Sequence, residues 1–324
     1  MRLFVILFFA LSFCFSQDEK YQLSTVAFYN VENLFDTIDD PNNGWDESMT
    51  PKGKDKWTEK KYKTKIDNLS KVIAGIGKET TNAHPTIVGL CEVENRNVLI
   101  DLVQSENLKD FNYGIVHFDS PDWRGIDVAL IFDSKRFIPR KAKTYPLKVE
   151  YKGNPSFSRD ILVVFGFLDK EPINFIVNHW PSRSGGQAES EPQRVKAAEV
   201  NKRIIDSIQN IDINAKIISM GDFNDHPDDK SLKILTSTYN KENIETPGMF
   251  NPMQELSKRG RASYLFRGFP SAIDQFVISN GLISKNSNLL YLKADVYMKR
   301  FLYTQEGRYR GYPARSMSLS LIHI

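Results

Sequence analysis

One short stretch, Lys216-Ile-Ile-Ser-Met-Gly-Asp-Phe-Asn-Asp-His-Pro227, constrains what this chain can fold into more than any other. Ile217 and Ile218 open an apolar run that reads as the end of a buried strand, broken at Gly221 and stopped by Pro227. Asp222 and Asn224 alternate around Phe223, so an extended backbone sends both polar side chains to the same side. A carboxylate and a carboxamide facing one way at a strand's end suit the orientation of a water and a substrate oxygen. Taken alone, the stretch also reads as an ordinary Asn/Asp-rich loop. Its significance comes from repetition, because similar polar clusters close other apolar runs in the chain.

The first of these runs is 24–30, which ends at Asn30 with Glu32 just beyond. Residues 37–57, rich in Asp, Asn, Pro, Gly and Lys, read as a long surface loop. Thr58 then caps a predicted helix whose Ile66, Leu69, Val72, Ile73 and Ile76 form an apolar stripe. The continuous apolar run 86–90 predicts a strand buried on both faces, and it delivers Glu92 past its end. A helix over 97–104 follows, then strands at 113–118 and 128–132 joined by a loop that carries Arg124 and Asp127. Strands at 161–168 and 173–177 flank a turn, and the second delivers Asn178-His-Trp-Pro-Ser-Arg183. A helix over 192–209, a short helix near 231–235 and strands at 263–266, 273–279 and 289–297 complete the reading, with Asp274 opening the second of those strands. Interleaved helices together with short turns between strands favour two mixed, mostly antiparallel sheets with helices outside. No linker divides them.

Composition sets the bounds. With 324 residues, 41% of them hydrophobic, the chain can bury one large core or two smaller ones. Lys and Arg number 43 against 40 Asp and Glu, and no basic block offers a long surface for tracking phosphates. Residues 1–16 read as a signal peptide: Arg2, the apolar run 3–13, and small residues at Cys14 and Ser16. That run is short for a membrane anchor, and the bulky Phe13 before Cys14 argues against a lipoprotein. Cleavage after Ser16 leaves Cys91 as the single cysteine of an exported chain, periplasmic or extracellular, so no internal disulfide forms.

Asn30, Glu92, Asp127, His179, Asp222, Asn224 and Asp274 all lie at strand ends or in the adjoining loops. Each has a plain structural alternative: a turn cap for Asn30, a solvated pair for Glu92 and Glu94, a satisfied structural imidazole for His179, a cross-strand ion pair for Asp274. As a set they hold the inventory of phosphoester hydrolysis. A hard cation such as Mg²⁺ takes oxygen ligands from one or two carboxylates and polarises a phosphoryl oxygen. Imidazole can donate to phosphate, and arginine can clamp it in bidentate fashion.

Phe28-Tyr-Asn-Val-Glu-Asn-Leu-Phe35, Gly89-Leu-Cys-Glu-Val-Glu-Asn95, Arg124-Gly-Ile-Asp-Val-Ala-Leu130, Asn178-His-Trp-Pro-Ser-Arg183, Gly221-Asp-Phe-Asn-Asp225 and Ile273-Asp-Gln-Phe276 resemble, in order, the motifs of the endonuclease/exonuclease/phosphatase superfamily. The resemblance spans about residues 24–315 and is strongest to exported bacterial members related to deoxyribonuclease I. It implies a four-layer α/β sandwich with the site at one end of both sheets. It further implies Glu92 as the main metal ligand with Asn30 beside it, for Mg²⁺, Mn²⁺ or Ca²⁺. Asp222 and Asn224 would orient the attacking water and the phosphate, His179 would stabilise the phosphate or the leaving group, and Asp127 would orient His179. Arg183 and Arg124, with Asn30, would contact phosphate. Asp274 would support a second histidine.

The implied activity is metal-dependent phosphodiester hydrolysis, most simply by a monomeric nuclease of low sequence specificity with nucleic acid as substrate. A phosphatase or phospholipase acting on nucleotides, inositol phosphates or sphingomyelin is the rival within the family, and Trp45, Trp57, Trp123 and Trp180 keep lipid headgroups open. A non-catalytic binding protein is the rival of another class. It gains weight, and an inactive fragment is a further reading of this chain, because the Ser-Asp-His motif that supplies the family's second histidine is missing: His226 lies in the central loop, and no aspartate precedes His323. Residues 17–318 are therefore expected to form the domain without its last strand. Residues 319–324, Leu-Ser-Leu-Ile-His-Ile, are expected to be a non-native tail, since they also translate the end of a transposase adaptor. Resequencing the locus from intact genomic DNA should show the frame departing after Ser318; a continuous frame ending in Ile324 would contradict this expectation.

Overall fold

The computed structural model describes residues 21–312 apart from Lys152, Arg267, Asn286 and Tyr309, so the expected signal peptide and tail lie outside the described residues. In chain order the elements are β1 (Val26–Leu34), α1 (Glu59–Gly75), α2 (Lys78–Thr81), β2 (Ile87–Val93), α3 (Arg96–Val103), β3 (Tyr113–His117), β4 (Asp127–Asp133), β5 (Phe137–Tyr151), β6 (Asn154–Leu168) and β7 (Glu171–His179). They continue with α4 (Gln187–Gln209), β8 (Ile217–Asp222), α5 (Lys230–Leu235), β9 (Met249–Phe250), α6 (Met253–Lys258), β10 (Tyr264–Phe266), β11 (Phe269–Ser271) and β12 (Asp274–Ser279).

Two large sheets form, in the orders β1-β2-β4-β3 and β5-β6-β7-β8-β12-β9, and β10 and β11 make a small hairpin. Within each large sheet one pair is parallel, β1 with β2 and β7 with β8, and the remaining pairs are antiparallel. The parallel pairs are those whose connections run through long helices, α1 and α4, as a crossover requires.

Alternation along the strands builds the layers. In β1, Phe28 faces the second sheet while Tyr29 faces α1; in β2, Cys91 faces inward while Leu90 faces outward. Leu69, Ile73, Leu99 and Leu102 of α1 and α3 close the outer face of the first sheet. Leu130, Phe175, Val177 and Met220 fill the space between the sheets, and Ala198 and Ile205 of α4 cover Ile176 and Ile217 on the far side. Burial on both faces explains why the central strands read as unbroken apolar runs. The result is the four-layer α/β sandwich. Among the described residues no helix is long and apolar enough to cross a membrane.

Among the departures from expectation, three stand out. The long strand β5 has no counterpart in the sequence reading, because Pro139, Pro146 and a series of lysines argue against a strand interior. It lies at the edge of its sheet, where proline costs no ladder bond and lysine deters further pairing. Helix α4 begins at Gln187, ahead of the expected start, and carries Pro192 inside it. Residues 289–297, expected as a strand, pair with no ladder. They dock instead through isolated bonds such as Tyr291 N–H to the Leu282 carbonyl at 2.7 Å and through Tyr291 packing on Phe250.

Gly221 is the tightest point of this framework that bears on the site. A Cβ there would lie 2.3 Å from the Asn178 carbonyl oxygen on the neighbouring strand. Gly221→Ala should lower stability by about 1–3 kcal/mol, the usual cost of overpacking, read as a lower urea midpoint. An unchanged midpoint would show that the strands part without cost.

Candidate active site

Ladder register places three candidate residues side by side. His179 pairs with Asp222 across β7 and β8, and Asp222 pairs with Asp274 across β8 and β12. The other sheet delivers Asn30 from β1 and Glu92 from β2, where Asn30 pairs with Cys91. The two groups meet: Asn30 Nδ2 donates to Asp222 Oδ2 at 3.1 Å. His179 Nε2 lies 3.8 Å from Glu92 Oε1 and 4.0 Å from Asp222 Oδ2.

Backbone geometry at the two key turns is uncommon. Glu92 and Asn224 both hold left-handed conformations, at φ 63° and 52°, which non-glycine residues keep only where their surroundings fix them. The backbone N–H of Asn33 donates to Glu92 Oε2 at 2.9 Å, and that of Asn224 donates to Asp222 Oδ1 at 2.9 Å. Each carboxylate is thus aimed by a backbone donor. Below His179, the Asn178 side chain joins a buried network with Ser219, Asn201 and the Trp180 indole N–H. Helix α4, through Asn201, thereby fixes the end of β7.

The arginines divide. Arg124 stays near the carboxylates, with Nη2 3.9 Å from Glu92 Oε1. Arg183, expected to contact phosphate, is committed elsewhere: its Nε donates to the Asn224 carbonyl at 2.6 Å, its Nη1 to Gln187 and its Nη2 to Asp229, and it lies 3.2 Å from Asp225. Its work here is to hold the central loop. Arg194, fully buried, pairs with Asp225 at 2.7 Å from the other side.

Asp127 also differs from its expected role of orienting His179. One carboxylate oxygen accepts both the backbone N–H and the hydroxyl of Ser120, and the other lies 3.0 Å from His117 Nε2. Burial raises its pKa despite these bonds. The physical reason is position: Asp127 opens β4 next to β3, on the far side of β2 from β1. Together with the exposed Asp119, His117 and Asp127 bring possible ligand atoms within 4.8 Å of one another. Asp274 lies where expected, buried beside Asp222, with its N–H donating to Ser263 Oγ.

Other groups take quieter roles. Lys65, fully buried, donates to the Glu32 carbonyl; burial lowers its pKa to about 8 although Glu32 and Glu92 favour its charge. The Cys91 thiol is raised well above its usual value, first by burial and then by Asp222, Glu92 and Asp274, so it is no nucleophile. Trp57 and Trp180 are buried in the two cores, whereas Trp123 is 67% exposed in the loop that carries Arg124. Trp45 is partly buried against Phe35, so Trp123 is the most exposed tryptophan. Asp122 and Arg159 hold the Arg124 loop from beneath, and nothing in their spacing in the sequence marks them as site residues.

Glu92 and Asn30 fit a hard divalent cation. Among the described residues Glu92 Oε1 lies 3.8–3.9 Å from His179 and Arg124, and the Asn30 carboxamide oxygen, accepting the Glu32 N–H at 2.8 Å, keeps a second lone pair. Such an oxygen set suits Mg²⁺, Mn²⁺ or Ca²⁺.

The endonuclease/exonuclease/phosphatase family model matches residues 25–320. The chain belongs to this family, whose members are in general hydrolytic phosphoesterases. Among solved structures it is similar to a Bacteroides thetaiotaomicron mannosyl-6-phosphatase, at TM-score 0.50 and 17% identity over 79% of this chain and 85% of that one. A second family protein from the same organism gives TM-score 0.50 and 17% identity over 79% and 81%. Humanized D. rerio TDP2 gives 0.50 and 13% over 82% and 85%. These likenesses establish the shared sandwich fold. No curated protein matches the sequence.

His226 lies in the central loop. Its Nε2 lies 3.2 Å from Ser271 Oγ, and burial followed by the charge of Arg183 lowers its pKa. A depressed imidazole contributes stability above its unfolded pKa that is lost as pH falls through the folded value. The melting temperature of wild type should therefore fall more between pH 7.5 and 5 than that of His226→Gln; parallel losses would show that His226 titrates normally.

Proposed function

We propose that this chain is an exported, divalent-metal-dependent phosphodiester hydrolase acting on nucleic acid with little sequence preference, as a monomer. The observation that carries the reading is the meeting of Glu92, His179, Asp222 and Asn30 from two different sheets within 4.0 Å contacts. No packing need explains that concentration of buried carboxylates and imidazole. Burying such charges costs free energy unless they are paired or hold a cation.

A metal held by Glu92 and Asn30 would polarise a phosphoryl oxygen and offset the charge that develops there. The remaining steps belong to side chains. Asn224 and Asp222 orient the attacking water, and Asp222 is placed to accept its proton as the oxygen–phosphorus bond forms. His179, through Nε2, donates to the phosphate or to the departing oxygen as the ester bond breaks. Arg124 neutralises the phosphate from the Glu92 side. Preorganised groups of this kind gain strength in a site closed to water.

The test uses the mature protein with Mg²⁺, Mn²⁺ or Ca²⁺ on plasmid DNA, single-stranded DNA and bis-nitrophenyl phosphate. Metal-dependent cleavage is expected, with His179→Ala and Asp222→Asn each lowering kcat about 100- to 10,000-fold, and chelation abolishing turnover. Hydrolysis of the small diester alone would redirect the reading to small phosphoesters. No turnover of any substrate by folded protein would overturn it in favour of a phosphomonoesterase or a binding protein.

A further inference from the structure

Arg159, on β6, is only 6% exposed. A guanidinium is seldom buried without a directed task. Its two terminal nitrogens diverge: Nη2 donates to the Trp180 carbonyl at 2.7 Å and Nη1 to Asp122 Oδ2 at 3.2 Å. Burial weighs against its charge and lowers its pKa, an effect that Asp122 offsets in part. Both arms end one step from the site, one just past β7 and the other in the loop between β3 and β4.

The first arm runs through β7. The Trp180 carbonyl that Arg159 holds also accepts Asn224 Nδ2 at 2.9 Å, so one oxygen is shared by the buried arginine and the candidate phosphate-orienting amide. Trp180 directly follows His179, and its own N–H donates to the Asp222 carbonyl at 2.9 Å. The second arm runs through the loop between β3 and β4. Asp122 Oδ1 accepts the Arg124 backbone N–H at 3.0 Å and lies 3.9 Å from Arg124 Nε, while Arg124 Nη2 lies 3.9 Å from Glu92. Arg159 therefore spans from the sheet that carries His179, Asp222 and Asn224 to the loop that aims Arg124 at Glu92.

We propose that Arg159 is a positioning residue: one planar guanidinium, gripping the Trp180 carbonyl and Asp122 at once, sets Asn224 and Arg124 at the spacing that a single phosphate requires. The inference rests on the phosphoester-hydrolase reading and adds a residue that makes no substrate contact itself. Lysine cannot reproduce the task, because a point charge on a flexible stem lacks two fixed, divergent donors.

That difference supplies the test. Arg159→Lys keeps a cation beside Asp122, so the melting temperature should stay within a few degrees of wild type. Its kcat on bis-nitrophenyl phosphate should fall at least about tenfold, with KM changed by less than about threefold, since small misplacements of catalytic groups act on turnover. The double variant Arg159→Met/Asp122→Asn, which removes both charges together, guards against a fold lost to an unpaired carboxylate, and it should show the same loss of kcat. Full activity in either folded variant, or losses that merely track the unfolded fraction, would overturn the proposal. Should wild type hydrolyse no phosphoester, the functional reading fails by itself and Arg159 is judged on the Asn224 side-chain amide by ¹⁵N NMR. A single slowly exchanging pair in wild type that becomes fast-exchanging in Arg159→Lys upholds the positioning role. An unchanged amide overturns it.

Discussion

The hydrogen bond from Asn30 to Asp222 ties the ends of two sheets whose facing surfaces are packed largely by apolar side chains. Between the sheets the contact is chiefly non-directional packing, which fixes spacing but not the aim of a polar group. At this end the sheets are joined by a directed bond between a carboxamide on β1 and a carboxylate on β8, 192 residues apart in sequence. With that bond in place, Glu92 on one side and His179 on the other are brought face to face. Without it, the two strand-end clusters would be separate features of separate sheets.

Buried polar groups then have to be satisfied, and the chain does so largely with backbone. Glu92 and Asp222 each take a main-chain N–H, from Asn33 and Asn224, and both donor residues sit at positive φ, 55° and 52°. Local strain and carboxylate aim are thus parts of one arrangement. Beneath it, arginines do the bracing. Arg183 and Arg194 converge on Asp225 under the central loop, and Arg159 joins the Trp180 carbonyl to Asp122. A site braced by such buried ion pairs is costly to assemble but little free to relax. Low freedom to relax is what electrostatic stabilisation of a transition state requires.

Much of this was legible in the sequence because the site sits where strands end. Apolar runs stop at Asn30, Glu92, His179 and Asp222, and the alternation of Asp222 with Asn224 marked the loop that carries both. Strand β5 was hidden because an edge strand may carry the prolines and lysines that a central strand excludes. The segment 289–297 misled in the opposite sense: its apolar residues dock by side chain, and propensity cannot distinguish docking from pairing. Roles set by tertiary neighbours were the least visible. Asp127 stands on the far side of β2 from β1 and serves His117 and Ser120, and Arg183 folds back on Asp229 and Asn224. Arg159 and Asp122 lie 37 residues apart with no pattern between them, so only the fold reveals their partnership.

The proposed activity is hydrolysis at phosphorus by the group that Asn30 and Asp222 assemble. The most direct measurement is cleavage of a phosphodiester in ¹⁸O-labelled water with Mg²⁺, followed by mass analysis of the products. One ¹⁸O atom in the phosphate-bearing product, with none in the released alcohol and no product without divalent metal, is the predicted result. Label in the alcohol, or cleavage that persists undiminished under chelation or in Asp222→Asn, would contradict it.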